Sequence, residues 1–542
     1  MKTIQNFLFI SITITFFLSA CSDRKPTEER VVQDETLEES KYRPSFHFSP
    51  QKNWMNDPNG MFYLDGVFHL YFQHHPESNV WGPMHWGHAI SKDLLNWEEQ
   101  SIALFPDDLG TIFSGSAVVD FENTSGLGSK ENPPIIAIYT NHDAAAEKKG
   151  SLLFQTQSIA YSLDQGYTWT KYENNPVVQN PGIRDFRDPK VFWMESERKW
   201  IMTLAAGQET QFYASPNLRE WSYLSSFGTG IGNHDGVWEC PDLFPLTTKE
   251  GEETKWVHLV SINPGGPNGG SATQYFIGDF DGTQFTLDPD FKNDLEENHQ
   301  FWTDFGKDNY AGVTFSNWRD NEQNPLFLGW MSNWQYANKV PTQKWRNSMT
   351  LPRTLMLNKT KSSYRLLSKL AVNLKDFASK KKQIKERSVE NGQLITSADD
   401  INLSSAHIKV KLKNIEPTIY TFLLKNETGD SLLFGYNHIK NVFFTDRSKS
   451  GQISFSTDFA EKQSLAPRFQ NKTELDLELV LDKTSMELFF DSGETVLTEI
   501  FFPTKPFKTL SLITELPSNS LFSAEFIELD PLLNQRFPKR DK

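Results

Sequence analysis

From Tyr42 to about Asn358, short apolar runs alternate with clusters of Gly, Pro, Asn and Asp, and no long stretch keeps a helical period. Met61-Phe62-Tyr63-Leu64 and Val67-Phe68-His69-Leu70-Tyr71-Phe72, separated by Asp65-Gly66, predict a hairpin with a two-residue turn. A weak repeat runs through the same region. Ser91-Lys92-Asp93-Leu94-Leu95-Asn96-Trp97, Ser162-Leu163-Asp164-Gln165-Gly166-Tyr167-Thr168-Trp169 and Ser215-Pro216-Asn217-Leu218-Arg219-Glu220-Trp221 each follow an apolar strand, turn through Asp or Asn, and end on Trp. Strand starts recur after Asp57, at Ser114, after Asp188, after Glu239 and near Asp308, and each interval can hold one four-stranded sheet with its loops. Five such sheets predict a five-bladed β-propeller over residues 42–358, in which the starts converge on a central channel. An irregular all-β domain would carry the same punctuation without that convergence.

Beyond the propeller the pattern changes. Residues 359–390 are rich in Lys, Ser and Glu, including Lys380-Lys381-Lys382, and read as a solvated linker. Apolar/polar alternation returns in His407–Leu412, Leu475–Leu481 and Met486–Phe490, with Asp-Lys-Thr and Asp-Ser-Gly turns, and predicts a β-sandwich over 391–535. The fold class expected is therefore all-β.

The N-terminus reads as a processing signal over residues 1–20. Lys2 supplies charge, Phe7–Leu18 the apolar run, and Leu18-Ser19-Ala20-Cys21 resembles a bacterial lipobox, with cleavage before Cys21 and lipid on its sulfur. A plain secretory signal with an incidental cysteine is the alternative. Residues 21–41 are mostly charged and read as a disordered tether. A lipid on Cys21 leaves Cys240 as the one remaining cysteine, so no intrachain disulfide is possible.

Composition narrows the partners. A formal charge of −15 over 542 residues argues against nucleic acid. The 42 Phe and 15 Trp suffice for large cores and for flat faces that stack on ligands. A monomer is expected.

Three acids stand at proposed blade starts in rigid contexts. Asp57 lies in Trp54-Met55-Asn56-Asp57-Pro58-Asn59-Gly60, a stretch dense in turn formers. Asp188 lies in Arg187-Asp188-Pro189, and Glu239 in Trp238-Glu239-Cys240-Pro241-Asp242. Singly they fit an ion pair or a turn. Together, at matching positions of a repeated unit, they favour a polyol or sugar site, where paired carboxylates share nucleophilic and acid–base work. His85 and His88, three apart on a strand, point to opposite faces and read as packing or sugar contacts rather than metal ligands. Gly265-Gly266-Pro267-Asn268-Gly269-Gly270 lacks the setting of a phosphate loop. No metal and no organic cofactor is implied.

These motifs, with Phe113-Ser114-Gly115-Ser116, Tyr71-Phe72-Gln73, Trp81-Gly82, Trp86-Gly87-His88-Ala89 and Trp330-Met331-Ser332-Asn333-Trp334-Gln335-Tyr336, resemble the motif set of glycoside hydrolase family 32, the β-fructofuranosidases. Glu487–Glu494 resembles that family's second domain. The resemblance implies a fructan or fructoside substrate and assigns Asp57 as nucleophile, Glu239 as acid/base, and Asp188 as transition-state stabiliser with Arg187 beside it. It also implies that Asn56, Gln73, Trp81, Phe113, Ser114 and Trp334 line a fructose pocket. A retaining mechanism then requires Asp57 and Glu239 to stand about 5–5.5 Å apart. It also requires an ionised Asp57, and a Glu239 pushed up by apolar Trp238 and Cys240 and by the nearby acids. A fructosyltransferase would use the same residues. A fructan-binding propeller without turnover would not need all three acids.

Overall fold

A computed structural model describes residues 41–249, 253–298 and 301–530, so the proposed signal and tether, including Cys21, lie outside the described residues. Five antiparallel sheets of four main strands follow one another along the chain, led by Asn53–Leu64, Thr111–Val119, Phe186–Met194, Val237–Thr247 and Tyr310–Thr314. Each leading strand packs against those of the next and preceding sheets, the fifth against the first, so they form a closed ring. The molecule is a five-bladed propeller. The short strand Trp345–Arg346 pairs in parallel with Asn53 and Trp54, bringing the end of the last blade back onto the first.

Local chemistry explains the blades. The predicted hairpin forms with Leu64 opposite Val67, and Asp65 and Gly66 both take positive φ (+48° and +85°), the twist-matched geometry of a two-residue turn. The Ser…Trp repeat is the turn between the third and fourth strands of blades 1, 2 and 3. In blade 1 the Ser91 hydroxyl accepts Leu94 N–H at 2.8 Å, Asp93 accepts the N–H groups of Leu95 and Asn96, and Trp97 Nε1 donates to Leu94 O. Ser215, Asn217 and Trp221 repeat this in blade 3. Blade 4 keeps only the acid, with Asp281 Oδ1 accepting Thr283 and Gln284 N–H at 2.8 Å each.

Two six-stranded sheets form the C-terminal sandwich. Ile408, Val410 and Leu412 point inward from Ser405–Lys413, and Leu475, Leu477 and Leu479 from the neighbouring strand. The stretch 359–390 differs from the linker read in the sequence. Tyr364–Leu370 is the outer strand of blade 5, and Ala378–Ser388 is an edge strand of the sandwich paired with Leu521–Leu529. Its lysines fooled the reading because an edge strand with an exposed face carries charge without losing its ladder. Only a short 3-10 turn, Leu374–Phe377, separates the two.

Propeller and sandwich make one compact unit. Two buried ion networks cross between them. Arg353 reaches Asp304 and Glu487, and His47 contacts Asp482 and Glu487. Arg447 from the sandwich bonds Asp308 and the Tyr336 hydroxyl of the propeller.

Candidate active site

All five leading strands break register at the same place. One extra residue falls between Met55 and Pro58, Ile112 and Gly115, Arg187 and Lys190, Glu239 and Asp242, and Tyr310 and Val313, opposite an unbroken partner strand. Each is a β-bulge, a device that re-aims side chains. The acids therefore sit inside bulged strands, which begin at Asn53, Phe186 and Val237, before the acids rather than after them as read in the sequence. Asp188, Cys240 and Ala311, the first bulge residues of blades 3, 4 and 5, all have positive φ (+66°, +45° and +53°). Such conformations cost of order 1–3 kcal/mol each. The bulges turn the residues around them toward the hub.

There, neighbouring blades are stitched together. Ser114 Oγ of blade 2 donates to Asp57 Oδ2 of blade 1 at 2.7 Å, and Asn56 Nδ2 donates to Asp57 Oδ1 at 3.0 Å. Asp188 N–H donates to Thr140 Oγ1, while Cys240 N–H donates to Asp188 Oδ2 at 3.1 Å. The Cys240 thiol lies 3.7 Å from Asp57 Oδ2 and 3.6 Å from Asp188 Oδ2. Arg187, Glu239 and Tyr310 hold the equivalent position in three successive blades. Arg187 Nε and Nη2 both donate to Glu239 Oε1, at 3.1 and 2.9 Å, and the Tyr310 hydroxyl donates to Glu239 Oε2.

One cavity of about 320 Å³ opens onto this cluster. Asp57, Asp188 and Glu239 line it, with Arg187 between the last two. Asn56, Gln73 and Ser114 line it too, as do Trp81, Phe113 and Trp334. Asn56 is held by Trp54 Nε1 at 2.7 Å, and Trp54 stacks on Trp334 at 5.8 Å. Gln73 is held through Asn59 at 2.7 Å. Trp81 is the most open wall, 43 % exposed, standing edge-on to Phe113. Below the acids, Lys190 bonds Thr314 O and lies 3.5 Å from Asp242, while Thr314 N–H donates to Asp242. The same three residues also line a separate cavity of about 650 Å³.

Electrostatics follow from burial. Desolvation pushes the Asp57 carboxyl upward and the charge of Glu239 adds to it, whereas the bonds from Ser114 and Asn56 pull it back. Asp188 is pushed up to about 7, first by burial, with Arg187 opposing and Glu239 and Asp57 reinforcing. Burial also drives the Cys240 thiol and the Tyr310 hydroxyl well above their usual values, so both are neutral donors. Trp238 does not shape the surroundings of Glu239 as the sequence suggested. Strand alternation turns it into the core of blade 4, where it stacks on His234 and donates to Asn233 O. His88 stacks on Tyr71 at 4.3 Å, buried away from the cavity.

The cavity also has members the motifs did not reveal. Gln155, Asp185 and Asn263 line it, as do His142, Glu147 and Phe154, while Tyr310 touches its acid. Superposing the five leading strands on their bulges would have placed Tyr310 at the position of Glu239. Of the Trp330–Tyr336 motif only Trp334 reaches the cavity. Tyr336 is buried against Asp308 and Arg447, and Asn338 holds the backbone of Trp81.

Comparison with known proteins agrees with this architecture. The family model "Glycosyl hydrolases family 32 N-terminal domain" matches residues 47–369, and "Glycosyl hydrolases family 32 C terminal" matches 373–528. The chain is 44 % identical to the levanase of Bacillus subtilis over 485 residues, covering 88 % of this chain and 69 % of that protein. It is 39 % identical to the extracellular exo-inulinase of Aspergillus awamori over 490 residues, 85 % of this chain and 90 % of the other. The crystal structure of the Aspergillus awamori exo-inulinase superposes with a TM-score of 0.81 at 34 % identity, covering 90 % of this chain and 98 % of that one. A fructofuranosidase from Schwanniomyces occidentalis complexed with fructosylnystose gives 0.79 at 34 % identity, covering 91 % and 99 %.

Proposed function

The chain belongs to glycosyl hydrolase family 32, and from that premise we propose how its own residues carry out β-fructofuranoside hydrolysis. It is a β-fructofuranosidase that acts on fructans of the levan and inulin type, the activity carried by its levanase and exo-inulinase relatives. The observation that carries the assignment of roles is the arrival of three acids, from blades 1, 3 and 4, in one cavity of about 320 Å³.

Asp57, aimed by Ser114 and Asn56, attacks the anomeric carbon of the terminal fructosyl unit. As the glycosidic bond breaks, Glu239 as a carboxylic acid gives its proton to the departing oxygen. Glu239, now a carboxylate, then takes a proton from water, whose oxygen displaces Asp57 and releases fructose with its configuration retained. Asp188, with Arg187 beside it, holds ring hydroxyls and stabilises the oxocarbenium-like transition state. A separation of about 5–5.5 Å between the reacting carboxyls belongs to this reading. It is supported by both carboxyls lining the one cavity.

Attack is of the exo type, a reading supported by the relatives named exo-inulinases. The protein is exported and carries a lipid on Cys21, a reading supported by Leu18-Ser19-Ala20-Cys21 and by relatives described as extracellular. It acts as a monomer.

Chromatography of levan, inulin and sucrose digests tests the reaction. Free fructose from the first time point is expected. Longer oligomers would identify a fructosyltransferase, a ladder of shorter ones an endo enzyme, and unchanged substrate a binding protein. Asp57→Ala and Glu239→Ala should each lose nearly all turnover while remaining folded, and near-normal rates in either would show the roles to be misassigned.

A further inference from the structure

The glycine-rich stretch Gly265-Gly266-Pro267-Asn268-Gly269-Gly270 takes no part in the cleavage steps, yet it is held on both flanks. It connects the strands Thr254–Asn263 and Ala272–Phe280 of blade 4. At its tip Asn268 reaches out of the propeller to the sandwich. Asn268 Nδ2 donates to Leu465 O at 2.9 Å, and Leu465 N–H donates back to Asn268 Oδ1 at 2.9 Å. Leu465 belongs to Ser464–Pro467, the edge strand of its sheet, so one side-chain amide pairs with that edge as a neighbouring strand would. The second Nδ2 proton goes to Phe305 O at 2.6 Å, and Phe305 N–H in turn donates to Val496 O of the sandwich at 2.8 Å.

The following residues meet the pocket. Gly269 O accepts Asn333 Nδ2 at 3.3 Å, and the same nitrogen donates to Lys307 O at 2.8 Å. Gly270, at φ +72°, packs so closely that a Cβ there would lie 2.1 Å from Asn333 Oδ1. One residue on, the Ser271 hydroxyl donates to Asn263 Oδ1 at 3.1 Å, which leaves its lone pairs for Trp334 N–H, also at 3.1 Å. Asn263 and Trp334 both line the cavity. Among the described residues the sandwich contributes nothing to that lining. Through Asn268 it nevertheless grips the backbone that carries one of the walls.

Trp334 needs such a grip. It lies past the end of the strand Leu326–Met331 and before the 3-10 turn Ala337–Lys339, so no ladder fixes its backbone. Its ring rests on Trp54 at 5.8 Å and Trp330 at 4.9 Å. Ring stacking tolerates sliding, whereas a hydrogen bond to the backbone is directional. We propose that Asn268 and Ser271 are positioning residues for the substrate pocket. The strap between them carries the docked position of the sandwich to Trp334, and so holds that wall in place before substrate arrives. This rests on the hydrolase reading above and gives the sandwich a part in substrate binding.

The test is a double-mutant cycle on the whole chain, reading kcat and KM for fructose release from inulin. Asn268→Ala should raise KM about tenfold and leave kcat within about twofold, because a displaced wall weakens ground-state and transition-state binding alike. In a Trp334→Ala background the same substitution should change KM by less than about twofold, since nothing is left for it to position. Equal factors in the two backgrounds would show a general loss of structure and overturn the proposal. A wild-type KM in Asn268→Ala, or a loss confined to kcat, would overturn it too. Should Asn268→Ala fail to fold, Ser271→Ala enters the same cycle with the same expectations, because it keeps the sandwich contact and removes only the hydroxyl. Wild-type protein inert on inulin, levan and sucrose would overturn the hydrolase reading itself, and this role with it.

Discussion

Ser114 Oγ and Asp57 Oδ2, 2.7 Å apart across the seam between the first two blades, tie the proposed nucleophile to a strand that shares no hairpin with it. That bond is the strongest influence keeping Asp57 ionised against burial and the charge of Glu239. Its loss in Ser114→Ala raises the Asp57 pKa further. A nucleophile must be ionised, so the acid limb of the kcat/KM profile should move to higher pH. Activity at neutral pH should fall roughly tenfold to a hundredfold, the worth of one hydrogen bond to a charged group. Superimposable profiles for variant and wild type would show that Ser114 does not tune Asp57.

Arg187 and Tyr310 grip the two oxygens of Glu239 unequally, and their variants should separate. Arg187→Gln removes both donors to Oε1 and also the cation that opposes the rise of Asp188. Burial already pushes Asp188 up to about 7, so its ionised form should retreat to higher pH and the acid limb should follow. We expect kcat to drop about 10²–10³-fold, the usual cost of a lost preorganised donor. Tyr310→Phe removes one donor and leaves Asp188 alone, so kcat should fall less, with the acid limb near its wild-type place. Identical limb shifts in the two variants would contradict this division of labour.

Much of this was legible in the chain because the proposed reacting residues lie beside prolines and tryptophans whose local preferences are strong. Asp57-Pro58, Asp188-Pro189 and Cys240-Pro241 mark three of the five bulges, since proline cannot donate to a ladder and concentrates where pairing lapses. The bulge in blade 5, Ala311-Gly312, has no proline, and Tyr310 beside it went unseen. His142 and Glu147 escaped for a different reason. His142 ends the second strand of blade 2 and Glu147 stands on the short helix that follows, where no periodicity constrains the letters, and only the fold brings them to Arg187. The misread linker is the converse case, in which lysines that look solvated sit on a strand whose partner, Leu521–Leu529, is far away in sequence.

Cys21 gives a prediction independent of the propeller. Lipid on its sulfur should send the exported protein into the detergent-rich phase on Triton X-114 partitioning, and Cys21→Ala should move it to the aqueous phase with unchanged fructose release per molecule. Wild-type protein that already partitions into water would mean a plain secretory signal, and the tether would then anchor nothing.

The joint between propeller and sandwich should give the enzyme a pH-dependent stability distinct from its activity profile. His47 is fully buried between two carboxylates, Nδ1 at 2.8 Å from Asp482 and Nε2 at 2.9 Å from Glu487. Burial works against the charged ring, but the two acids outweigh it and raise its pKa from 6.5 to about 9. A raised histidine contributes stability that is complete below its unfolded pKa, near 6.5, and lost as pH climbs through 9, on the order of 3 kcal/mol in all. Asp482 and Glu487 are lowered despite burial, by His47 and, for Glu487, chiefly by Arg353, so their contribution is lost in acid as pH falls below the ordinary carboxylate range. The two slopes leave a maximum in mildly acidic solution, between about pH 5 and 6.5. Thermal midpoints measured from pH 5 to 9.5 should decline steadily above 6.5. In His47→Gln that alkaline decline should flatten, while the pH 6 midpoint drops by an amount matching about 3–5 kcal/mol, because two buried carboxylates lose their shared cation. Fructose release at a temperature where both proteins are folded should differ little, since Asp482 and Glu487, which hold His47, lie in the joint and do not line the pocket. A variant that keeps the full alkaline slope would place the titrating group elsewhere in the joint.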